Sequence, residues 1–439
     1  MVPTDRNHIV KAVTRVRVWY GLLLLVVGIF AIRLFYVQVI HYGYYKAAAL
    51  SDQLKQYQIP ATRGIIEAHD GGSVVPVALN QQLYTLYADP TLVKKPDQAG
   101  AKVAAIIGGQ ADKYAQLMRT KNTRYVILAK RLSSGQSQRL LGLKLPGVGT
   151  QGQDYRIYPQ GDLASQTLGF VDDSGQGQYG IEQSLNSQLA GRAGEVKAVT
   201  DANGIPLAAS KGNVEMPPTD GDNVVTTLDL SMQAQMEKIL QQEYQKTASQ
   251  GLSAVIIDPN TGKIKAMANY PTYDPGNYQN VSNPKLFQND VVTNAIEPGS
   301  SMKVLTTAAS LDQGVITPNT TFYDPAHWIV DGFNITDIEE DGGPRTQSIS
   351  SLLNLSLNTG ATWELMQMGG GRIDQKGIDE WNKYMVKRFR LGQPTGVEQG
   401  SPDYESAGYV PPADMSSPAI GLTYANTAFG QAVQITALQ

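Results

Sequence analysis

Apolar residues occupy almost every position from Val18 to Ile40, VWYGLLLLVVGIFAIRLFYVQVI. That run predicts a helix of about 20 residues, long enough to cross a bilayer. Arg33 interrupts it near the far end, where a long side chain can snorkel to the interface. Tyr36, Tyr42, Tyr44 and Tyr45 read as an interfacial aromatic belt. Arg6, Lys11, Arg15 and Arg17 precede the run against a single acid, Asp5. The positive-inside rule therefore keeps the N-terminus cytoplasmic and sends the chain after about residue 45 outside. The alternative is a cleaved signal peptide, with Ala47-Ala48-Ala49 as the small-residue site. The length of the run, and the tyrosine-rich segment before those alanines, favour a retained single-pass anchor.

Beyond the anchor the pattern becomes mixed. PATRGIIEAHDGG, from Pro60 to Gly72, pairs short β-prone runs with turn residues, and LYTLYADP from Leu83 reads as a strand. Residues 98–143 read as amphipathic helix broken at glycines. Tyr155 to Gly194 alternates turns with a helix around Ile181–Leu189. VVTTLDLSMQAQMEKILQQEYQKT, from Val224, predicts a strand followed by a long helix capped by Asp229 or Ser231. Two β-rich runs, Ala254–Ile257 and Ile264–Ala268, flank Pro-Asn-Thr-Gly and predict a hairpin. This strand, helix and hairpin order points to an α+β domain with helices covering an antiparallel sheet. The proline-rich EMPPTDGD, Glu215 to Asp222, marks the best domain boundary.

Composition narrows the function classes. At 439 residues two or three domains are expected. A net charge of -3 gives no reason to expect nucleic acid. The absence of cysteine rules out disulfides and cysteine-rich metal sites. His8, His41, His69 and His327 are scattered without metal-ligand spacing, so a metal-free reading follows.

Candidate chemistry centres on EPGSSMKVLTTAASLDQG, Glu297 to Gly314. Ser300 follows a Pro-Gly bend, and Lys303 lies three residues on, on the same face of a helix. Val304, Leu305, Ala308, Ala309 and Leu311 predict an apolar face that closes at Gly314. Burial disfavours the charged form of an amine, and a neutral amine can take the proton of a serine nucleophile. The helix N-terminus adds N–H groups for a developing oxyanion. The bland reading is a serine cap beside a solvated lysine. The chain contains a second Ser-x-x-Lys, Ser282 to Lys285, but Pro284 and an Asn/Pro-rich loop disqualify it. Ser-x-Asn also occurs twice. Ser184-Leu185-Asn186 falls inside a predicted helix, whereas Ser356-Leu357-Asn358 lies between helical segments, where a loop can present both side chains to a cleft.

In order and surroundings these motifs resemble those of the class B penicillin-binding proteins. EPGSSMK is similar to the family's Glu-Pro-Gly-Ser-x-x-Lys motif, and Ser356-Leu357-Asn358 to its Ser-x-Asn motif. RGIIEAHDG at Arg63, RIYPQGDLASQTLGFV and GQYGIEQSLNSQLAG resemble its pedestal segments. LDLSMQ resembles the entry to the catalytic domain, DPNTGKIKAMANYPTYDPGNY the start of the catalytic sheet, and GQAVQITALQ the stretch after the second motif.

The resemblance implies a cytoplasmic tail and anchor over residues 1–45, a pedestal (dimerisation-type) domain over 46–220 and a transpeptidase domain, related to serine β-lactamases, over 221–439. It implies a peptidoglycan D,D-transpeptidase that cross-links D-Ala-D-Ala stem peptides, is acylated by β-lactams and needs no metal or organic cofactor. Ser300 would be the nucleophile and Lys303 the base or proton relay. Ser356 would pass the proton to the leaving amine, and Asn358 would hold the lysine and the substrate amide. It implies partners as well, a membrane glycosyltransferase and other cell-wall or divisome proteins. YADPTLV, Tyr87 to Val93, and the short spacing to Ser300 look more like the division than the elongation type.

Two departures qualify these expectations. EAHDG replaces the usual Asp-Arg-Asn-Gly in a pedestal turn. The family's third motif, Lys-Thr-Gly, has no counterpart after Asn358, and Lys246-Thr247-Ala248 precedes Ser300 in a glutamine-rich helix. A chain ending at Gln439 thus reads as C-terminally truncated, with exposed core surface and little or no transpeptidase activity, since losing one oxyanion donor alone costs about 10²- to 10³-fold. A stable penicillin adduct at Ser300 of these 439 residues would overturn that expectation. Two rival functions share part of the pattern. A β-lactamase or β-lactam sensor would lack the long pedestal, and a non-catalytic cell-wall scaffold would tolerate Ser300→Ala.

Overall fold

The computed structural model describes residues 6–45, 54–199, 214–338, 344–398, 405–414, 416 and 418–439. Asp5 and the alternative cleavage site Ala47–Ala49 lie outside the described residues. Two units are distinguished, Met1–Ala61 with Gly191–Asp220, and Thr62–Ala190 with Gly221–Gln439.

In the first unit, helix Arg6–Phe35 runs into a π-helical turn at Tyr36–Ile40. The stretch Val18–Ile40 has a mean hydropathy of 2.4. Its side chains are exposed and apolar on all sides, the pattern of a membrane span and not of a helix resting on a core. The Arg33 guanidinium lies 5.5 Å from the Tyr36 ring centre, a cation–π contact that suits an interfacial arginine. The rest of this unit is a three-stranded antiparallel sheet in which Gly194–Val199 runs between Leu54–Ile59 and Val214–Met216.

The second unit begins with a hairpin. Ile66–Asp70 pairs with Ser73–Ala88 across Gly71 and Gly72, whose φ of 52° and 92° suit the two-residue turn that matches strand twist. The EAHDG departure thus falls on a turn that glycine satisfies. Ser73–Ala88 also pairs with Val126–Leu132 and with Val148–Ile157. Val126–Leu132 corrects the all-helical reading of residues 98–143. Helices Pro96–Ile107, Ala111–Leu117 and Ser134–Gly142 are present, but the β-branched Val126-Ile127 pairs with Tyr87 and Ala88 as a strand. The predicted helix at Ile181–Leu189 is two short helices, Gly180–Ser184 and Asn186–Leu189, broken at Leu185.

A buried ion network joins three distant segments. Arg63 donates through Nε to Glu182 Oε2 at 2.8 Å and through a terminal nitrogen to the Asn186 side-chain carbonyl at 2.8 Å. Arg156 donates through Nε to Glu182 Oε1 at 2.6 Å and through its terminal nitrogen to Asn80 Oδ1 at 3.0 Å. Glu182 is fully buried, and both arginine side chains are nearly so. The Ser184-Leu185-Asn186 look-alike therefore carries a structural asparagine.

Strand Val224–Asp229 departs from the sequence reading. It runs parallel to Ile66–Asp70 in the upstream sheet, with Val224 opposite Ile66. The expected antiparallel sheet consists, among the described strands, of Leu252–Ile257 paired with Ile264–Tyr270. Asp229 caps helix Leu230–Thr247 by accepting from Met232 N–H at 3.1 Å. Gln233, on that helix, exchanges two bonds with the Met267 backbone, both at 2.9 Å, and so fixes the helix to the hairpin. The pedestal segment docks on the same hairpin. Thr167 donates to the Met267 carbonyl at 2.8 Å, and Gln166 to the Pro271 carbonyl at 3.1 Å.

The main core downstream packs Met302 and Ala309 of helix Met302–Asp312 against Leu365 and Met368 of helix Asn358–Met368. Trp381, Tyr424 and Phe429 complete it.

Candidate functional site

Ser300 lies in a 3-10 turn, Gly299–Ser301, that leads directly into helix Met302–Asp312. It is exposed, while Lys303, three residues on, is only 2% exposed. The buried face of this helix is Met302, Lys303, Thr306, Thr307, Ala309 and Ser310. That corrects the predicted apolar face, since Val304 is 60% exposed and Ala308 is exposed too. Hydroxyl groups can replace methyl groups at Thr306 and Thr307 because partners are built for them, whereas the Ser310 hydroxyl is buried without one. Thr306 donates to the Ala428 carbonyl at 2.7 Å, and Thr307 to Glu364 Oε2 at 3.0 Å.

Lys303 reaches the second motif. Its Nζ donates to Ser356 Oγ at 3.0 Å and also to the Ser356 carbonyl. Ser356 occupies the turn between helices Ile349–Asn354 and Asn358–Met368, with φ of 55°. A left-handed serine is uncommon, and it is held here by Leu357 N–H donating to the Leu352 carbonyl at 3.0 Å, with Leu357 buried. The fold therefore brings together the two motifs whose spacing along the chain singled them out.

Asn358 opens its helix, and its amide donates to the Thr336 carbonyl at 3.0 Å. Asp337, the next residue, accepts from Thr359 N–H at 3.0 Å and from the Thr359 hydroxyl at 2.5 Å, a cap supplied from outside the helix. Trp328 Nε1 donates to the Thr359 carbonyl at 3.0 Å. The hairpin His327–Val330 with Phe333–Thr336 thus clamps the end of the helix that carries Asn358.

Sequence reasoning missed the support behind Ser300. Gly299 N–H donates to the Gly430 carbonyl at 3.0 Å, and Glu297 accepts from Ala432 N–H at 2.8 Å. Ile296 bridges to Ile435. A Cβ on Gly430 would lie 1.9 Å from the Gly299 carbonyl oxygen, and Gly430 itself has φ of 84°. Two glycines therefore meet backbone to backbone behind the serine. The available signal was the glycine in GQAVQITALQ, which by itself reads only as the left-handed residue that closes helix Ile420–Ala428.

Glu364, on helix Asn358–Met368, is fully buried. Burial pushes its carboxyl up to about 8, and the Thr307 hydroxyl draws it partly back.

Residues 58–226 match the family described as Penicillin-binding Protein dimerisation domain. Residues 252–439 match Penicillin binding protein transpeptidase domain. Penicillin-binding protein PbpB of Mycobacterium tuberculosis is 30% identical over 97% of this chain and 63% of its own length. Stage V sporulation protein D of Bacillus subtilis is 30% identical over 93% of the chain and 60% of its own length. Peptidoglycan D,D-transpeptidase FtsI of Escherichia coli K12 is 25% identical over 88% and 62%. The chain spans about three fifths of the length of these relatives. Among solved structures, penicillin-binding protein 2X of Streptococcus thermophilus superposes with a TM-score of 0.64 at 24% identity, covering 87% of this chain and 57% of that one, a likeness of fold. Penicillin-binding protein 3 of Mycobacterium tuberculosis, solved with aztreonam, gives 0.59 at 25% identity over 87% and 63%.

Proposed function

This chain belongs to the class B penicillin-binding proteins, and on that premise we propose that its gene product cross-links peptidoglycan stem peptides through an acyl-enzyme on Ser300. In this reading the Ser300 hydroxyl attacks the D-Ala-D-Ala carbonyl, and the terminal D-alanine leaves as the ester forms. The amine of a second stem peptide then displaces the serine. β-Lactams acylate the same oxygen. Lys303 takes the proton from Ser300, and Ser356 returns it to the leaving amine. Asn358 orients the substrate amide. The observation that carries the reading is the contact of the buried Lys303 Nζ with Ser356 Oγ at 3.0 Å, one helical turn from an exposed serine.

We also read residues 1–45 as tail and anchor, 46–220 as pedestal and 221–439 as transpeptidase domain. The anchor holds the N-terminus in the cytoplasm, and the chain works outside the membrane with a glycosyltransferase at the division septum. The FtsI and PbpB relatives favour the division type. The test is fluorescent-penicillin labelling of membranes from cells carrying the gene, together with complementation by Ser300→Ala. Labelling that depends on Ser300 and failed complementation are expected. Complementation by Ser300→Ala would replace this reading with a scaffold.

Gly430→Ala tests the support behind the serine. The new methyl meets the Gly299 carbonyl at 1.9 Å, and neither partner is a flexible side chain. Left-handed strain and overpacking together cost about 2–4 kcal/mol. Labelling per folded molecule is expected to fall at least about 10-fold, because a shift near 1 Å in a reacting group costs that much or more. Wild-type labelling in Gly430→Ala would show that this contact does not set the position of Ser300.

A further inference from the structure

Helix Met302–Asp312 and helix Asn358–Met368 meet at two levels. At the upper level Lys303 Nζ reaches Ser356, the residue that leads into the second helix. One turn below, Thr307 donates to Glu364 Oε2 at 3.0 Å. Lys303 and Thr307 are four residues apart and so share a face, with Cβ atoms about 5–6 Å from one another. Both are buried, as is Glu364.

A glutamate with no exposed surface is rare without a cation beside it. No ion pair to Glu364 occurs among the described residues. The carboxyl instead has Thr307 on one oxygen, while the other, Oε1, is buried without a hydrogen-bond partner. A leucine or alanine would fill this place in an ordinary helix interface at lower cost. A polar joint buried directly beneath the Lys303–Ser356 contact therefore calls for a purpose other than packing.

We infer that Glu364 is a positioning residue. Through Thr307 it sets the register of the lysine-bearing helix against the helix that follows Ser356, and so holds Lys303 on Ser356. Hydrophobic contacts between helices are non-directional and tolerate sliding, whereas a hydroxyl–carboxyl bond admits one axial offset. The carboxyl is fitted to this place because burial raises it to about 8, so at neutral pH it is an uncharged acid that needs no counter-ion. The inference rests on Lys303 acting as the base of the proposed reaction.

Three variants test it, Thr307→Val, Glu364→Leu and Glu364→Gln. Thr307→Val keeps the volume of the side chain and removes only the donor. Glu364→Gln keeps an acceptor for Thr307 without a charge. In the gene product, the rate constant for penicillin acylation of Ser300 is expected to fall about 10-fold or more in Thr307→Val and Glu364→Leu, with the dissociation constant of the initial penicillin complex unchanged. Glu364→Gln is expected to acylate within about 3-fold of wild type. A general loss of packing would not separate these two constants, nor would glutamine rescue it selectively. Wild-type acylation in both Thr307→Val and Glu364→Leu would overturn the inference.

Crystal structures of the same variants give a readout that does not depend on activity. The Lys303–Ser356 contact should open in Thr307→Val and persist in Glu364→Gln. Its persistence in Thr307→Val overturns the inference whatever the kinetics. A wild-type protein with no adduct at Ser300 overturns the proposed function instead, and the crystal result still decides the role of Glu364.

Discussion

Ser300→Ala is expected to abolish covalent penicillin labelling of the gene product without changing its thermal stability. The two outcomes follow from one geometric fact. Ser300 is exposed at the head of its helix, so removing the hydroxyl leaves no cavity and strands no buried partner. Its loss removes the only oxygen on which the proposed ester can form, and knocking out a serine nucleophile elsewhere costs about 10⁶-fold in turnover.

Lys303→Ala makes the contrast. Acylation should again fall by about 10³-fold or more, the scale at which general-base and nucleophile-activating groups act. The fold should suffer as well, because Lys303 is 2% exposed and its amine serves both the Ser356 hydroxyl and the Ser356 carbonyl. The Ser356 carbonyl is partly buried, so leaving it without this donor costs about 1 kcal/mol, the low end for a stranded acceptor. Labelling per milligram together with melting temperature checks both. A labelled Ser300→Ala protein would move the nucleophile elsewhere, and Lys303→Ala with full labelling would remove the lysine from the mechanism.

Glu182→Leu is expected to destabilise the second unit by about 3–5 kcal/mol, the cost of breaking a buried ion network by taking out one partner. Glu182 serves Arg63 at 2.8 Å and Arg156 at 2.6 Å, so its removal leaves two guanidinium groups facing one another in a site with almost no water. Asn186 and Asn80 remain to accept one bond from each arginine, but neither carries charge. The exposed pair of Arg119 with Asp97 is the control. Their side chains are 53% and 72% exposed, and Asp97→Asn should leave stability unchanged within measurement. Urea unfolding of the two variants separates the cases. A Glu182→Leu protein as stable as wild type would mean that the network confers specificity and not stability.

Much of the candidate site was legible because its signals are local. Ser300 and Lys303 share a helical face by spacing alone, and a proline inside Ser282–Lys285 was enough to reject the other copy. The same logic separated the two Ser-x-Asn copies, and the structure gives each its own partner, Lys303 for Ser356 and Arg63 for Asn186. Local spacing does not reveal Glu364, Gly430 or Glu297. Each acts on a residue more than fifty positions away, and although Glu297 opens the EPGSSMK motif and Gly430 the GQAVQITALQ stretch, neither motif says which distant backbone group the residue meets.

The membrane-spanning run, the Asp229 cap, the hairpin flanking Pro-Asn-Thr-Gly and the motif order were set by the sequence itself. Each depends on residues within one or two turns of one another, where sterics, capping and hydropathy act directly. Tertiary structure alone decided which face of the nucleophile helix is buried, because periodicity counts apolar residues but cannot see that Ala428 and Glu364 wait to accept from Thr306 and Thr307. It also decided that Val224–Asp229 joins the upstream sheet beside Ile66–Asp70, since the backbone donors and acceptors of a strand carry no sequence label for their partner. And it decided how Ser300 is supported. Gly430 is glycine for two reasons, a left-handed φ of 84° that closes helix Ile420–Ala428, which is local, and the Gly299 backbone against it, which another part of the chain imposes.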